Sequence, residues 1–418
     1  MSKDFHSYIF KGSKSSCSGC GTCVQLCPRH ALTMQADEEG FLYPKIDISL
    51  CVECGVCDRN CPSINNDQSN RCKDEQHCYI GTTSLVSYYM ESASIGLCTM
   101  IAENVVKRKG IVYGAFLDED RWKVRHIRVS DQQGVQIIRN SKYIQSDTGT
   151  TYFEVKQDLK NGMSVLYIGT PCQIAGLKAY LKNIPDNLYT IDLICHGVTS
   201  PKLMPLEISY WEKLFGGKIT NFRFRSKRKY SHTNCGMVNF DIEKKNGKTK
   251  HIERFAGSSP TYHCFAYSND GKNYNLRLSC YSCVFKSKNR YGDLTVGDPW
   301  LAKKGVIHNP LLKSGKIIRS LYSSNTQKGA ELLKLADGYL IQEEHAYDDT
   351  FVQPAVCIEK REVPEKRKLL FDSLDNEDYG ITVEHIFGCN LEKEHKLFEK
   401  EYYKKVIKTS IKKLFSKI

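Results

Sequence analysis

The stretch that decides the fold reads Cys17-Ser-Gly-Cys-Gly-Thr-Cys-Val-Gln-Leu-Cys-Pro28. Three of its cysteines are separated by two residues each, and the fourth follows after three more residues and precedes a proline. The same spacing begins again thirty-four residues later (51 − 17), from Cys51 to Cys61-Pro62. Thiolates are soft ligands, and at this spacing a short loop can wrap an iron–sulfur cluster.

The repeated run is typical of bacterial ferredoxins that hold two [4Fe-4S] clusters. The fourth cysteine of each run ligates the other cluster in this pattern. The predicted ligand sets are therefore Cys17, Cys20, Cys23 and Cys61 for one cluster, and Cys51, Cys54, Cys57 and Cys27 for the other. Structural zinc is the alternative, but it explains neither the triplets nor the repeat. The runs predict a protein that carries single electrons.

The composition is that of a globular protein with an excess of positive charge. The 418 residues carry a formal net charge of +13, which favours acidic or phosphorylated partners or a membrane surface. No signature of nucleic-acid binding is present. The sequence contains no run of eighteen apolar residues, so no transmembrane helix is expected. No signal peptide is recognisable. Cluster-binding thiolates, rather than disulfides, indicate a cytoplasmic protein.

Strand and helix patterns alternate from about Ile95 to Phe215, which predicts an α/β domain behind the α+β ferredoxin module. Polar residues without periodicity predict a linker between the two. Beyond about residue 350, the sequence predicts a charged tail with little to bury. The predicted divisions are the ferredoxin module (1–63), the linker (64–77), the two parts of the α/β domain (78–160 and 161–350) and the tail (351–418).

Four further cysteines lie where the α/β pattern builds sites. Cys172 begins a predicted helix after a strand, and Cys195 ends the next strand, so both belong to the carboxyl edge of the sheet. Cys280 and Cys283 add a C-x2-C pair. The four could hold a third [4Fe-4S] cluster or zinc. Cys172 could instead be a nucleophile at a helix N-terminus, or all four could be inert buried cysteines. The residues alone leave these alternatives open.

Several motifs, in order, resemble those of the family of coenzyme F(420) hydrogenase/dehydrogenase beta subunits. They are Ser141–Tyr143, Gly169–Leu177, Asp192–Gly197, Cys280–Cys283 and Gly292–Asp298. The resemblance implies an oxidoreductase whose α/β domain binds FAD without a Rossmann fold and passes electrons between the flavin and a cluster. It also implies that Cys172, Cys195, Cys280 and Cys283 are the ligands of that third cluster.

An FAD site needs donors at the flavin ring and a helix N-terminus or positive charge at the diphosphate. A small-residue loop opens a predicted helix near Gly96, and the resemblance brings the segment around Lys142 to the flavin. The predicted cofactor-binding residues are Ser92, Ser94, Gly96, Ser141, Lys142, Tyr143, Arg290 and Asp298. No G-x-G-x-x-G follows a strand, so a standard nicotinamide site is not expected.

Two residues are predicted to be catalytic. Lys142 could neutralise the charge of a reduced flavin, and the alternative is an ordinary surface lysine. His196, next to Cys195, could relay a proton, and the alternative is a structural hydrogen bond to a backbone carbonyl. Asp298 could equally cap a turn.

The C-terminal segment 402–418 contains six lysines and no acidic residue, with its apolar residues on one helical face. This pattern predicts peripheral contact with the inner face of a membrane, or docking on a protein. The predicted function is an electron relay from a small organic hydride donor or acceptor, of the deazaflavin F(420) type or another, through FAD and clusters. Its partner would be a redox protein or ferredoxin-type carrier. The alternative is an electron-transfer subunit without enzymatic activity.

Overall fold

The computed structural model describes residues 6–65, 72, 76–227, 236–300, 302–303, 305–314, 317–352 and 360–415, the last eleven of them by their backbone only. Most of the predicted linker 64–77, and the side chains of most of segment 402–418, therefore lie outside the described residues. The chain divides into two compact units, residues 1–202 with 276–362 and residues 203–275 with 363–418.

The elements follow one another through the described residues. The strands are β1 (Leu32–Ala36), β2 (Leu42–Ile46), β3 (His77–Thr83), β4 (Ile111–Asp118), β5 (Lys123–Val129), β6 (Val165–Gly169), β7 (Leu188–Leu193), β8 (Lys218–Arg223), β9 (Met237–Glu243), β10 (Thr249–Phe255), β11 (Leu294–Gly297), β12 (Ser320–Ser324) and β13 (Leu340–His345). The helices are α1 (Tyr8–Lys11), α2 (Thr22–Leu26), α3 (Val56–Arg59), α4 (Val86–Glu91), α5 (Leu97–Lys107), α6 (Gln132–Ile138), α7 (Thr151–Lys160), α8 (Pro171–Leu181), α9 (Leu203–Phe215), α10 (Pro260–Tyr262), α11 (Leu278–Tyr281), α12 (Pro310–Lys313), α13 (Gln327–Lys334), α14 (Tyr347–Thr350), α15 (Glu365–Ser373), α16 (Tyr379–Phe387) and α17 (Leu391–Phe415). None of the described helices is long and apolar enough to cross a bilayer.

The two cysteine runs of the ferredoxin module have similar backbone structures. Helices α2 and α3 each carry the third cysteine of a run, and each begins after a glycine of positive φ, Gly21 at +79° and Gly55 at +70°. Glycine adopts this left-handed conformation without a steric penalty, so it allows the loop to turn tightly into the helix. The antiparallel pair β1 and β2 joins the two halves.

An eight-stranded mixed sheet forms the centre of the first unit. Its order is β13-β3-β12-β11-β7-β6-β4-β5, and β4, β6, β7 and β11 are parallel to one another. One apolar core lies between the sheet and helices α5, α6 and α13, and another lies between the sheet and helices α7 and α8. The predicted α/β architecture is confirmed, because helices cover both faces of a sheet with a parallel centre.

The second unit combines an antiparallel sheet of order β10-β9-β8 with helices. Trp211 of α9 is fully buried against Phe240 of β9, with ring centres 5.4 Å apart. The prediction that residues 351–418 have little to bury is wrong. Arg367, Leu370, Phe371 and Leu374 are all buried at helical spacing in and just after α15; the surrounding charged residues hid this pattern in the sequence.

Candidate functional site

The first ferredoxin cysteines gather as the spacing predicts. Burial raises the pKa of Cys23 well above its usual value, and the nearby charges of Cys20, Cys17 and Cys61 raise it further. Burial also raises the pKa of Cys61 to about 12, with Cys20 as the next contribution. The fourth cysteine of the second run therefore lies beside the first three cysteines of the first run.

The second ferredoxin set lines a cavity of its own. The cavity is bordered by all four predicted ligands, Cys27, Cys51, Cys54 and Cys57. The eight cysteines of the module are all free thiols rather than disulfides. The chemistry of these donors fits two [4Fe-4S] clusters with exchanged fourth ligands.

A third group of cysteines surrounds a cavity of about 60 Å³ in the α/β domain. Cys172, Cys195, Cys280 and Cys283 all line it. Cys172 is held at the second position of α8, where a capping box formed by Thr170 and Gln173 fixes the helix start. Cys195 follows β7 by two residues, and Cys280 lies within α11. Strand order thus brings together thiols that are far apart in the sequence.

The electrostatics of this cavity show how close the four thiols are to one another. Burial raises the pKa of Cys172 well above its usual value, and the charges of Cys195 and Cys283 raise it further. Burial raises the pKa of Cys195 to about 12, with further contributions from Cys280 and Cys283. Such thiols become thiolates only when a cationic group offsets their charge. A raised pKa also disfavours Cys172 as an activated nucleophile.

The donor chemistry of this cavity fits a metal centre. Four thiols border it, and thiolates ligate both [4Fe-4S] clusters and structural zinc. Lys286, only 4% exposed, lines the same cavity, and its charge lowers the pKa of Cys195 and Cys280.

The cavity of Cys172, Cys195, Cys280 and Cys283 adjoins the first ferredoxin ligand set. Ser18, which lies between Cys17 and Cys20, and Ser63, which follows Cys61 by two residues, both line the cavity of Cys172 and its partners. The Ser63 hydroxyl donates to the Ser18 hydroxyl at 3.2 Å. The wall of this cavity is therefore formed both by the four thiols and by residues that flank the first ferredoxin set.

The small-residue loop predicted for FAD meets Asp298 at the carboxyl edge of the sheet. The Ser94 hydroxyl donates to Asp298 Oδ1 at 2.9 Å and lies 2.7 Å from the Ser320 hydroxyl. Arg139 Nε donates to the Ser92 hydroxyl at 3.0 Å. Gly96 starts α5 with φ of +79°, and a β-carbon there would lie 2.9 Å from the Ser92 oxygen. Ser92, Ser94, Gly96 and Asp298 are thus brought together.

The segment Ser141–Tyr143 makes mostly backbone interactions. Lys142 Nζ donates to the carbonyl oxygens of Ile138 at 2.8 Å and Arg139 at 2.7 Å, at the end of α6. Burial lowers the pKa of Lys142 to about 7. The Ser141 amide donates to the Asn140 side chain at 2.8 Å, and the Tyr143 carbonyl accepts from the Thr199 amide at 3.1 Å. The Lys142 amine is therefore engaged by helix carbonyls.

Arg290 and His196 lie in different surroundings. Arg290 is buried and forms an ion pair with Asp192 at 3.2 Å, and it also donates to the Leu193 carbonyl at 3.0 Å. These partners belong to β7, so Arg290 holds β7 to the segment before β11. His196 Nε2 lies 3.5 Å from Arg361 Nη1, beside the cysteine cavity.

Comparison with known proteins identifies both parts of the chain. Residues 162–348 match the model for the C terminus of the coenzyme F(420) hydrogenase/dehydrogenase beta subunit, and residues 16–65 match the 4Fe-4S dicluster domain. Residues 162–348 therefore resemble this family of beta subunits. The resemblance found in the sequence is confirmed, and the protein is an iron–sulfur electron-transfer protein with an oxidoreductase role.

The individual proteins that resemble this chain are similar at low identity or over a short stretch. A subunit of the F(420)H(2) dehydrogenase of Methanosarcina mazei is 21% identical over 279 residues, which cover 60% of this chain and 72% of that protein. An uncharacterized ferredoxin of Methanocaldococcus jannaschii is 36% identical over 50 residues, 12% of this chain. The chain spans 64% of that ferredoxin's length.

A solved structure is also similar in part. A chain of the F(420)-reducing [NiFe] hydrogenase complex from Methanosarcina barkeri aligns with a TM-score of 0.40 and 15% identity. The alignment covers 74% of this chain and 91% of that chain.

Two buried cations near the cysteines of the α/β domain could not be predicted from the sequence. Lys286 follows the C-x2-C pair by three residues, and Arg277 precedes it by three. Their only signal is proximity to cysteines in the chain, because burial of a single basic residue leaves no periodic pattern. Arg277 Nε donates to the Cys17 carbonyl of the ferredoxin module at 2.7 Å, although the two residues are 260 positions apart in the sequence.

Proposed function

We propose that this protein relays electrons between an FAD, a third [4Fe-4S] cluster and the two ferredoxin clusters. Cys172, Cys195, Cys280 and Cys283 would hold the third cluster. The observation that carries the proposal is the cavity shared by these four thiols with Ser18 and Ser63, which flank ligands of the first ferredoxin set. A flavin supplies the coupling between two-electron and one-electron chemistry when it is bound.

The residues of the third cavity would hold the cluster and shield it. Four thiolates carry more negative charge than a buried site tolerates alone. Lys286 offsets part of that charge within the cavity wall. Val198, Val284 and the buried Phe285 add apolar surface to a wall that also contains serines.

The flavin would lie at the same edge of the sheet. A helix N-terminus suits a diphosphate, and α5 begins there at Gly96 with Ser92 and Ser94 beside it. Ser141, Lys142 and Tyr143 follow α6, whose last turn brings Arg139 to Ser92. Lys142 remains the residue proposed to neutralise the charge of the reduced flavin, and His196 remains the residue proposed to relay a proton. Arg290 would hold β7 in place at this edge through its ion pair with Asp192 and would not contact the cofactor.

The proposed substrate is a small organic hydride donor or acceptor of the deazaflavin class. The match of residues 162–348 to the beta-subunit model and the similarity to a subunit of an F(420)H(2) dehydrogenase support it. The proposed partner for the ferredoxin end is a redox protein or ferredoxin-type carrier, within a larger complex of the kind that the relatives' names describe.

Membrane contact through the C-terminal helix is a separate proposal. Helix α17 ends at Phe415, and the lysine-rich pattern of 402–418 suits an anionic bilayer surface. Co-sedimentation with vesicles that contain anionic lipid tests it. We expect the full chain to bind and a chain lacking 402–418 to remain in solution; equal binding by both would refute the proposal.

The relay is tested by rapid anaerobic mixing with a reduced deazaflavin as the hydride donor. We compare the unmodified protein, Cys195→Ala and Cys389→Ala, the last a half-buried cysteine of the other unit. Cys195→Ala should retain flavin reduction and lose at least tenfold in the rate of ferredoxin-cluster reduction, while Cys389→Ala should match the unmodified protein. Equal rates in all three would contradict the relay.

The alternative function is an electron-transfer subunit without a flavin. The engagement of Lys142 by helix carbonyls and of Arg290 by Asp192 favours this alternative, since both were candidates for flavin contacts. A flavin assay on the anaerobically purified chain separates the two: about one FAD per chain supports the enzyme, and none supports the alternative.

A further inference from the structure

A fully buried arginine lies against one ligand of the first ferredoxin set. Arg277 has no exposed surface, and its Nη2 atom lies 3.5 Å from the Cys17 sulfur. Its Nε atom donates to the Cys17 carbonyl at 2.7 Å, and Nη1 donates to Gln145 Oε1 at 3.0 Å. The guanidinium carbon is 3.9 Å from the centre of the Tyr43 ring. These contacts fix the position of the cation.

The Cys17 thiol, a neighbour of this cation, becomes anionic when it ligates a metal centre. Within the described part of the chain, the ion pairs between basic and acidic side chains do not include Arg277. A cation that is buried without an opposite charge is costly. Burial raises the pKa of Cys17, and the Arg277 charge opposes that rise. A cluster with four thiolate ligands is an anion, so its presence would supply the missing charge.

The cysteine loop is shaped to admit the guanidinium. Gly19 has φ of +69°, and a β-carbon there would lie 3.0 Å from the Arg277 guanidinium carbon and 2.4 Å from Gln145 Nε2. The Arg277 carbonyl also accepts from the Cys280 amide at 2.8 Å. One residue thus contacts a ligand of the first ferredoxin set through its side chain and a proposed third-cluster ligand through its backbone.

We propose that Arg277 raises the reduction potential of the cluster held by Cys17, Cys20, Cys23 and Cys61. A fixed positive charge stabilises the reduced cluster more than the oxidised one, because reduction adds one negative charge, and the interaction is strong where water is excluded. The electron is added and no bond is broken; the donor is the reductant of the relay. The effect requires only that the ferredoxin module holds its clusters, and its use in transfer from the third cluster rests on the proposed function.

The test is a potentiometric titration of the whole protein, followed by electron paramagnetic resonance. Arg277→Gln should lower the reduction potential of one ferredoxin cluster by at least about 59 mV, which corresponds to a tenfold change in the one-electron equilibrium constant. Arg277→Lys keeps the charge and should shift it less. Cys17→Ser, which alters one cluster only, identifies its signal. Arg125→Gln, at a half-exposed arginine, is the control and should shift neither potential.

A second variant covers loss of structure. Gln145→Glu would place a carboxylate against Arg277 Nη1 and neutralise the cation without removing it, so it should lower the same potential. If Arg277→Gln fails to retain iron, Gln145→Glu decides the matter. An unchanged potential in the neutralised protein, or a shift confined to the cluster of Cys51, would overturn the proposal. The iron content of the unmodified chain tests the third cluster separately.

Discussion

Gly176 of α8 lies so close to Cys20 that a β-carbon at position 176 would be 3.1 Å from the Cys20 β-carbon. The same β-carbon would lie 2.7 Å from the Thr22 hydroxyl and 2.9 Å from the Tyr152 hydroxyl. Both of those side chains are buried, so neither moves freely. A glycine therefore allows the helix that carries Cys172 to pack directly on the loop of the first ferredoxin set.

Enlarging Gly176 should loosen this contact. Overpacking costs about 1–3 kcal/mol, whereas alanine gains about 1 kcal/mol over glycine inside a helix. We expect Gly176→Ala to lower the free energy of unfolding by about 1 kcal/mol, and Gly176→Val to lower it more, because valine is larger. Thermal unfolding and the rate of iron release measure the effect.

The matched control is Gly338→Ala. Gly338 has no atom within 4 Å of the position of a β-carbon and lies outside the left-handed region, so this variant should unfold like the original protein. Unchanged stability in Gly176→Val would show that the loop and the helix are not closely packed.

The ion pair between Arg290 and Asp192 should contribute to stability rather than bind FAD. Asp192 also accepts from the Thr295 hydroxyl at 2.6 Å and the Gly292 amide at 3.1 Å. Arg290→Met leaves a buried carboxylate unpaired and should cost about 3–5 kcal/mol of unfolding free energy. Adding Asp192→Asn should recover part of that loss, because the unpaired charge is removed.

Unfolding curves and flavin content of the folded fraction measure both roles of Arg290. We expect lower stability with the flavin content per folded chain unchanged. Loss of flavin from Arg290→Met at unaltered stability would instead place Arg290 in the cofactor site.

Acid should destabilise the sheet through His126. Its Nε2 atom lies 3.0 Å from the Ile168 carbonyl, and Nδ1 lies 2.8 Å from the Ser146 hydroxyl, which suits a neutral ring. Burial, with a smaller contribution from the charge of Lys142, lowers the pKa of His126 to about 4, although the hydrogen bond to the Ile168 carbonyl opposes this shift. Between this value and about 6.5, the unfolded chain binds a proton that the folded chain does not, so stability falls as pH falls.

The expected loss between pH 7.5 and 5.5 is about 1 kcal/mol. His126→Gln does not titrate and should lose that much less over the same interval, as measured by thermal unfolding. Parallel pH profiles for the original protein and His126→Gln would contradict the pKa shift.

Local patterns predicted the parts of the molecule that depend on neighbours in the chain. Three ligands of each ferredoxin set are separated by two residues in the chain, so their spacing predicts them, whereas the fourth comes from the other run and follows from the known ferredoxin pattern. Strand β6 lies at Val165–Gly169, as its apolar run predicts, because a central parallel strand is buried on both faces.

Features that depend on residues far apart in the chain were only suggested by the sequence or could not be predicted from it. Cys172 and Cys283 are more than a hundred residues apart, and only the order β6, β7 and β11 in the sheet brings their segments together. The division of 203–275 from the first unit has no shift in composition to mark it. Arg277 looks like any basic residue until the fold buries it beside Cys17.

The third cluster is tested most directly by the iron and acid-labile sulfide content of the anaerobically purified chain, compared with that of Cys195→Ala. Three clusters require about twelve iron atoms per chain, and two require about eight. We expect about twelve in the original protein and about eight in the variant, with the ferredoxin signals retained. About eight in both would show that the cavity of Cys172, Cys195, Cys280 and Cys283 holds no cluster and would contradict the proposed relay.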